Sequence, residues 1–261
     1  MSPILLFALQ ALLIFAGVIV LAIVLRRRLP ALWRSWIWGA LAFVASQGVR
    51  MPLLIGLTLI SQALRWDFGQ EGNFWSNVII LSLTAGLFEE MARYLVLRFL
   101  AKDVRGWQNA VMFGAGHGGI EAILLVGIGA GVTNAYVLLN ADALLAQVRA
   151  FSPDQAGALE AQLATLRNVS AGIIAASLIE RAFAIMLHIG LSVMVMRAVE
   201  GVGFGWVLAA MGIHALANGS AAAAQRFGGI VAAEIVVGVI ALAMLAFTLR
   251  QRPVGSAPIA T

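Results

Sequence analysis

The sequence of 261 residues predicts an all-α polytopic membrane bundle of about seven transmembrane helices. Three observations carry that expectation. Hydrophobic residues make up 62 % of the chain and charged residues 11 %, with a mean hydropathy of +0.96, which leaves too little polar surface for a water-soluble globule. Several apolar tracts exceed the roughly 18 to 20 residues that a helix needs to cross about 30 Å of hydrocarbon. The tracts are continuous, which excludes the short alternating strands of an outer-membrane barrel.

The expected spans fall at about 3–25, 36–63, 75–99, 107–132, 169–198, 203–225 and 228–249. The first is read as a retained helix, because Met1-Ser2-Pro3 supplies no basic segment before it and Arg26, Arg27 and Arg28 close it as a stop signal. One set of ends and loops then holds Arg26, Arg27, Arg28, Arg34, Arg98, Lys102, Arg105, Arg197, Arg250 and Arg252, and the other only Arg65, Arg149, Arg167 and Arg226. The richer side is expected to be cytoplasmic, which places the N-terminus outside and the C-terminus in the cytoplasm of a bacterial-type plasma membrane. Residues 1–261 are read as one membrane domain with a motif-bearing core at 75–225.

The long outer connection, 133–168, contains Ser152-Pro153-Asp154-Gln155, a helix-start signal. A short helix should follow, with Ala156, Leu159, Leu163 and Leu166 on one stripe and its apolar face on the membrane surface. The last dozen residues read as a tail. Cysteine is absent, which rules out disulfides, thiolate ligands and a cysteine nucleophile. The net charge of +5 resides mostly in loops, so the expected partners are membrane lipids and a membrane-associated protein or peptide substrate, with no nucleic acid.

A lone ionised group at membrane depth costs on the order of 3 kcal/mol, so charges there should be paired or functional. The third span holds Glu89, Glu90 and Arg93; the fourth, His117 and Glu121; the fifth, Glu180, Arg181 and His188; the sixth, His214 and Asn218. All three histidines of the chain lie in these segments. Residues four apart share a helix face, which pairs Glu89 with Arg93, His117 with Glu121, and His214 with Asn218. Glu180 and His188, two turns apart, border the same side of their helix. Glycines at 114, 116, 118 and 119 surround His117 and let neighbouring helices approach. Arg50, just before Pro52, and Arg181 read as structural partners for adjacent helices.

Two chemistries suit this set. A carboxylate and an imidazole can take a proton from water while further donors hold an oxyanion. Alternatively, His117, His188 and His214 with a glutamate can ligate Zn²⁺ and leave a position for water. There is no Gly-x-Ser-x-Gly elbow and no His-Glu-x-x-His. A rival of another class, a proton-coupled transporter or ion pathway, would use the same Glu, His and Arg side chains as a relay.

Glu89-Glu90-x-x-Arg93, Phe113-x-x-x-His117 and His214-x-x-x-Asn218, in this order on separate membrane helices, resemble the three motifs of the CPBP superfamily of intramembrane proteases, which includes the CAAX-processing prenyl endopeptidases. His117-Gly-Gly-Ile-Glu121 and the Glu180 to His188 helix are more specifically similar to the YhfC family. The resemblance implies hydrolysis of a peptide bond, with Glu89 and His117 activating water, His214 and Asn218 as oxyanion donors, and Glu90 and Arg93 bracing the site. It implies supporting places for Glu121, Glu180 and His188. The family has been described both as metallo-type and as glutamate-type, so zinc stays open on this ground too. The prenyl endopeptidases carry their arginine one residue further from the paired glutamates, which leaves open whether Glu89 or Glu90 is catalytic.

Overall fold

The computed structural model describes residues 1–64 and 73–253, and every regular element among them is helical. In chain order these are α1 (Pro3–Arg28), α2 (Trp33–Ala63), α3 (Phe74–Leu95), α4 (Trp107–Glu121), α5 (Thr133–Leu139), α6 (Ala141–Phe151), α7 (Ala156–Arg167), α8 (Ala171–Val199) and α9 (Gly205–Arg250). A π-helical turn, Val96–Leu100, prolongs α3, and a π-helical stretch, Ala122–Val132, joins α4 to α5. Arg65 and the tail from residue 254 lie outside the described residues.

Five runs are long and apolar enough to cross a bilayer: Pro3–Arg28, Trp33–Ala63, Trp107–Leu139, Ala171–Val199 and Gly205–Arg250. The chain is a multi-pass membrane protein. The expected third span corresponds to α3, whose Glu89, Glu90 and Arg93 lower its apolarity. The last two expected spans are the two helical segments of α9, which meet at a kink where Gly229 takes φ 76° and ψ −176°, a conformation open to glycine and strained for other residues.

The connection 133–168 differs from expectation. It carries α5, α6 and α7, with a 3₁₀ turn at Pro153–Gln155 leading into α7. Ser152 makes no side-chain cap bond, and Pro153 sits at the first position of the turn. Leu163 is fully buried, and Leu166 packs with Leu6, Phe7 and Ile174. The stripe is therefore turned into the protein instead of onto a lipid surface, because α1 and α8 offer it apolar partners.

The chain divides into two compact units. The first, Met1–Val20 with Glu121–Arg181, is centred on Leu6, Phe7 and Ile174. Within it Gln10 Nε2 donates to Ser177 Oγ at 2.9 Å, and Arg181 sits between Glu121 and Glu180. The second, Leu21–Ile120 with Ala182–Thr261, has a core that includes Phe113, Leu97, Leu191, Val195 and Val207.

Backbone contact holds the second unit's helices together. A Cβ on Gly116 would lie 2.0 Å from the Trp36 carbonyl oxygen, and one on Gly86 would lie 2.5 Å from that of Met211. These glycines bring α2 against α4 and α9 against α3, as small residues do where lipid supplies no hydrophobic drive for association. Gly116→Ala should therefore destabilise the protein by at least about 1–3 kcal/mol through overpacking. Gly17→Ala, where a Cβ meets nothing within 4 Å, should not. Thermal unfolding in detergent of both variants checks this.

Candidate functional site

Four helices of the second unit bring together six side chains: Glu89, Glu90 and Arg93 from α3, His117 from α4, His188 from α8 and His214 from α9, all buried. Residues 89, 90 and 93 lie on the buried side of α3, where Glu90 and Arg93 meet α9 and α8 and Glu89 meets α2 and α4.

Arg93 and Glu90 form the centre. The Arg93 Nη2 donates to Glu90 Oε1 at 3.2 Å, and Nε lies 3.0 Å from Oε2 as an ion-pair contact without hydrogen-bond geometry. Both are fully buried, so each needs the other. His214 Nδ1 lies 2.9 Å from the same Glu90 Oε1. Glu90, paired with its arginine, is the acceptor there, which suits a neutral His214 with its proton on Nδ1 and a lone pair on Nε2. Arg93 Nη1 donates to the His188 carbonyl at 3.0 Å and to Ser192 Oγ, and Nη2 lies 3.2 Å from His188 Nδ1.

Glu89 occupies the other side. Its Oε2 lies 3.2 Å from His117 Nε2 and 3.9 Å from His214 Nε2. Its Oε1 accepts from Gln47 Nε2 at 3.1 Å. The Gln47 amide is oriented by Arg50, whose Nη1 donates to Gln47 Oε1 at 3.3 Å while Nη2 donates to the Leu81 carbonyl at 2.9 Å. An arginine has only donors and a carboxylate only acceptors, so this chain runs one way, Arg50 to Gln47 to Glu89.

These residues fit a metal. Ligand atoms of Glu89, His117 and His188 lie within 4.8 Å of one another, as do those of Glu90, His188 and His214. Ligand atoms around a tetrahedral ion with bonds of about 2.0–2.1 Å stand about 3.3 Å apart, close to the spacing around Glu89 Oε2. His117 Nδ1 is buried with no hydrogen-bond partner among the described residues. Two carboxylates face one guanidinium in the buried cluster, so a cation improves its charge balance.

The sequence-predicted residues divide. Glu89, Glu90, Arg93, His117, His188 and His214 come together. Asn218, one turn after His214, is exposed and joins none of the hydrogen bonds described here. Glu121 and Glu180 both pair with Arg181 in the first unit, Glu121 Oε1 accepting from Arg181 Nη1 at 3.1 Å. Gln47 and Ser192 were not anticipated. Their signal is spacing: Gln47 precedes Arg50 by three residues, and Ser192 follows His188 by four, each on one helical face.

A membrane-embedded all-α bundle holding a buried glutamate and histidine cluster defines a class: polytopic proteins with a metal-capable site inside the helices. The chain belongs to the YhfC intramembrane metalloprotease family, which it matches over residues 11–241. An uncharacterized membrane protein YhfC of Bacillus subtilis (strain 168) is 34 % identical over 176 residues, covering 66 % of this chain and 67 % of that protein. No solved structure matches. The family description makes the chain a peptidase of the membrane interior and favours hydrolysis over proton-coupled transport.

The geometry of the buried pair predicts a double-mutant result. Arg93→Met, which leaves Glu90 buried and unpaired, should cost about 3–5 kcal/mol of stability. Adding Glu90→Leu should recover a large part of it. Unfolding of the two single variants and the double variant in detergent checks the coupling.

Proposed function

We propose that this protein hydrolyses a peptide bond of a membrane-associated substrate with a divalent ion, Zn²⁺, held by Glu89, His117 and His214. The observation that carries the reading is the convergence of His117 Nε2 and His214 Nε2 on one oxygen of Glu89, at 3.2 and 3.9 Å, in a buried site. Two histidines and a glutamate are a known catalytic zinc set. Such an ion, when bound, lowers the pKa of a water to about 7 and polarises a carbonyl oxygen.

The chain's own residues prepare that set. Glu90 holds the Nδ1 proton of His214, which keeps Nε2 as the ligand nitrogen and fixes the ring. Arg93 gives the buried Glu90 carboxylate a cationic partner. Gln47 occupies Oε1 of Glu89 and leaves Oε2 for the imidazoles. Burial of Glu89, Glu90, Arg93, His117 and His214 keeps bulk water from competing with them. On this reading Glu89, not Glu90, is the glutamate that holds the ion, because Glu90 is committed to Arg93 and His214.

Elemental analysis of detergent-purified protein prepared without chelator should find about one zinc per chain. Glu89→Gln, His117→Ala and His214→Ala should each lose it and, with it, hydrolysis of a labelled single-span peptide. Well-folded, metal-free wild type that still cleaves the peptide would replace the metal with a glutamate and histidine water mechanism. Metal loss from Glu121→Gln, whose carboxylate is held by Arg181, would move the site elsewhere.

A further inference from the structure

We propose that the groove between α2 and α3 docks the membrane-spanning segment of the substrate, and that Arg50, at its end, pairs with an acidic side chain of that segment. This names the substrate class of the peptidase reading above and rests on it. The groove encloses about 490 Å³, with Ala45, Ser46 and Val49 of α2 and Phe88, Ala92 and Leu95 of α3 in its walls. The walls are almost wholly apolar, so apolarity alone suits an acyl chain as well as a helix. The charge beside the groove decides between them.

Arg50 stands deep in a membrane-spanning run. It lies about 26 Å of helix from the start of α2 and about 20 Å from its end. Its Nη2 donates to the Leu81 carbonyl at 2.9 Å, its Nε to Thr84 Oγ1 at 3.3 Å and its Nη1 to Gln47 Oε1 at 3.3 Å. All three partners are neutral, and the half-buried Arg50 makes no ion pair among the described residues. A guanidinium carries five N–H donors, so these three bonds leave one N–H on Nη1 and one on Nη2. Two such groups are what a carboxylate takes in a bidentate contact. Arg93 is the contrast, because its charge is met inside the protein by Glu90.

Position joins this charge to the groove. Arg50 follows Val49 of the wall, and Thr84 and Leu81 precede Phe88 by four and seven residues on the same face of α3. The guanidinium therefore ties α2 to α3 one turn beyond Phe88. Lipid headgroups lie at the bilayer surface, about 15 Å from the midplane, and their phosphates do not reach this depth. A carboxylate does so on a helix, as an Asp or Glu within a membrane-spanning segment, where it needs a cationic partner. Gln47 links Arg50 to Glu89, so the acidic residue is held one hydrogen-bonded side chain away from the proposed metal set.

The test uses the full chain in lipid nanodiscs and synthetic single-span peptides of leucine and alanine with one central Asp, Asn or Lys, read by energy transfer between peptide and protein. Wild type should bind the Asp peptide at least about tenfold more tightly than the Asn peptide, before and after chelator, and the Lys peptide most weakly. The preference should persist in Arg50→Lys and vanish in Arg50→Gln, a pattern that a purely structural role for Arg50 does not produce. The chain has no cysteine, so an introduced one is unique. A cysteine beside the peptide's Asp should form a disulfide with Val49→Cys, at an exposed wall position, and not with Gly212→Cys in the groove between α3 and α9. Equal binding of the Asp and Asn peptides by wild type would overturn the proposal without any variant having to fold. So would crosslinking at Gly212→Cys in place of Val49→Cys, or a disulfide-linked dimer of Val49→Cys, which would give the groove to a second copy. Because binding is also read after chelator, failure of the metal reading leaves this result standing, and failure of docking leaves the zinc analysis standing.

Discussion

The buried ion pair between Arg93 and Glu90 is the interaction on which the rest of the site depends. An unpaired charge at membrane depth is costly, and a fully buried guanidinium is among the hardest to accommodate. Here it is accommodated by several partners: a carboxylate, a backbone carbonyl, a serine hydroxyl and an imidazole nitrogen all face it. Each acceptor is on α3 or α8, so the charge that threatens the fold also fastens two helices. Its effect then passes outward. Glu90, its partner, lies 2.9 Å from His214 Nδ1, and His188 meets the guanidinium through both its carbonyl and its Nδ1.

The helices reach this arrangement through glycine. Apolar side chains gain little by associating in lipid, so the second unit relies on close backbone approach, with Gly116 on the Trp36 carbonyl and Gly86 on that of Met211. Gly86 lies one turn before Glu89 and Glu90, and Gly116 and Gly118 flank His117. Packing and chemistry therefore share the same turns. The two π-helical stretches, Val96–Leu100 and Ala122–Val132, begin just past Arg93 and just past Glu121. Such irregular turns are frequent beside functional sites.

Much of this was legible in the sequence, because charge inside an apolar tract is conspicuous. Glu89, Glu90, Arg93, His117 and His214 stood out for that reason, and helical spacing put them on inward faces. The span boundaries followed from length and hydropathy, and the break between the last two expected spans falls at Gly229, where the helical backbone is interrupted. Other features gave no such signal. Gln47 and Ser192 are neutral, and neutral polar residues are common in membrane helices. The apolar stripe of α7 fits a lipid surface as well as a protein core, and only the partners in α1 and α8 decide between them. The pairing of Glu121 and Glu180 with Arg181 needs a contact 60 residues apart, which helix spacing does not encode. The π-helical Ala122–Val132 is almost wholly apolar, so no period in its sequence distinguishes it from an α-helix.

The account stands or falls on what the buried cluster binds. X-ray absorption at the zinc edge of zinc-loaded protein in detergent reads the ion's neighbours directly. It should show a low-coordinate shell of nitrogen and oxygen at about 2.0–2.1 Å with outer scattering from two imidazoles. A six-oxygen shell with no imidazole scattering would mean that zinc sits elsewhere, and the cluster around Arg93 would then be an internal ion network and not a metal centre.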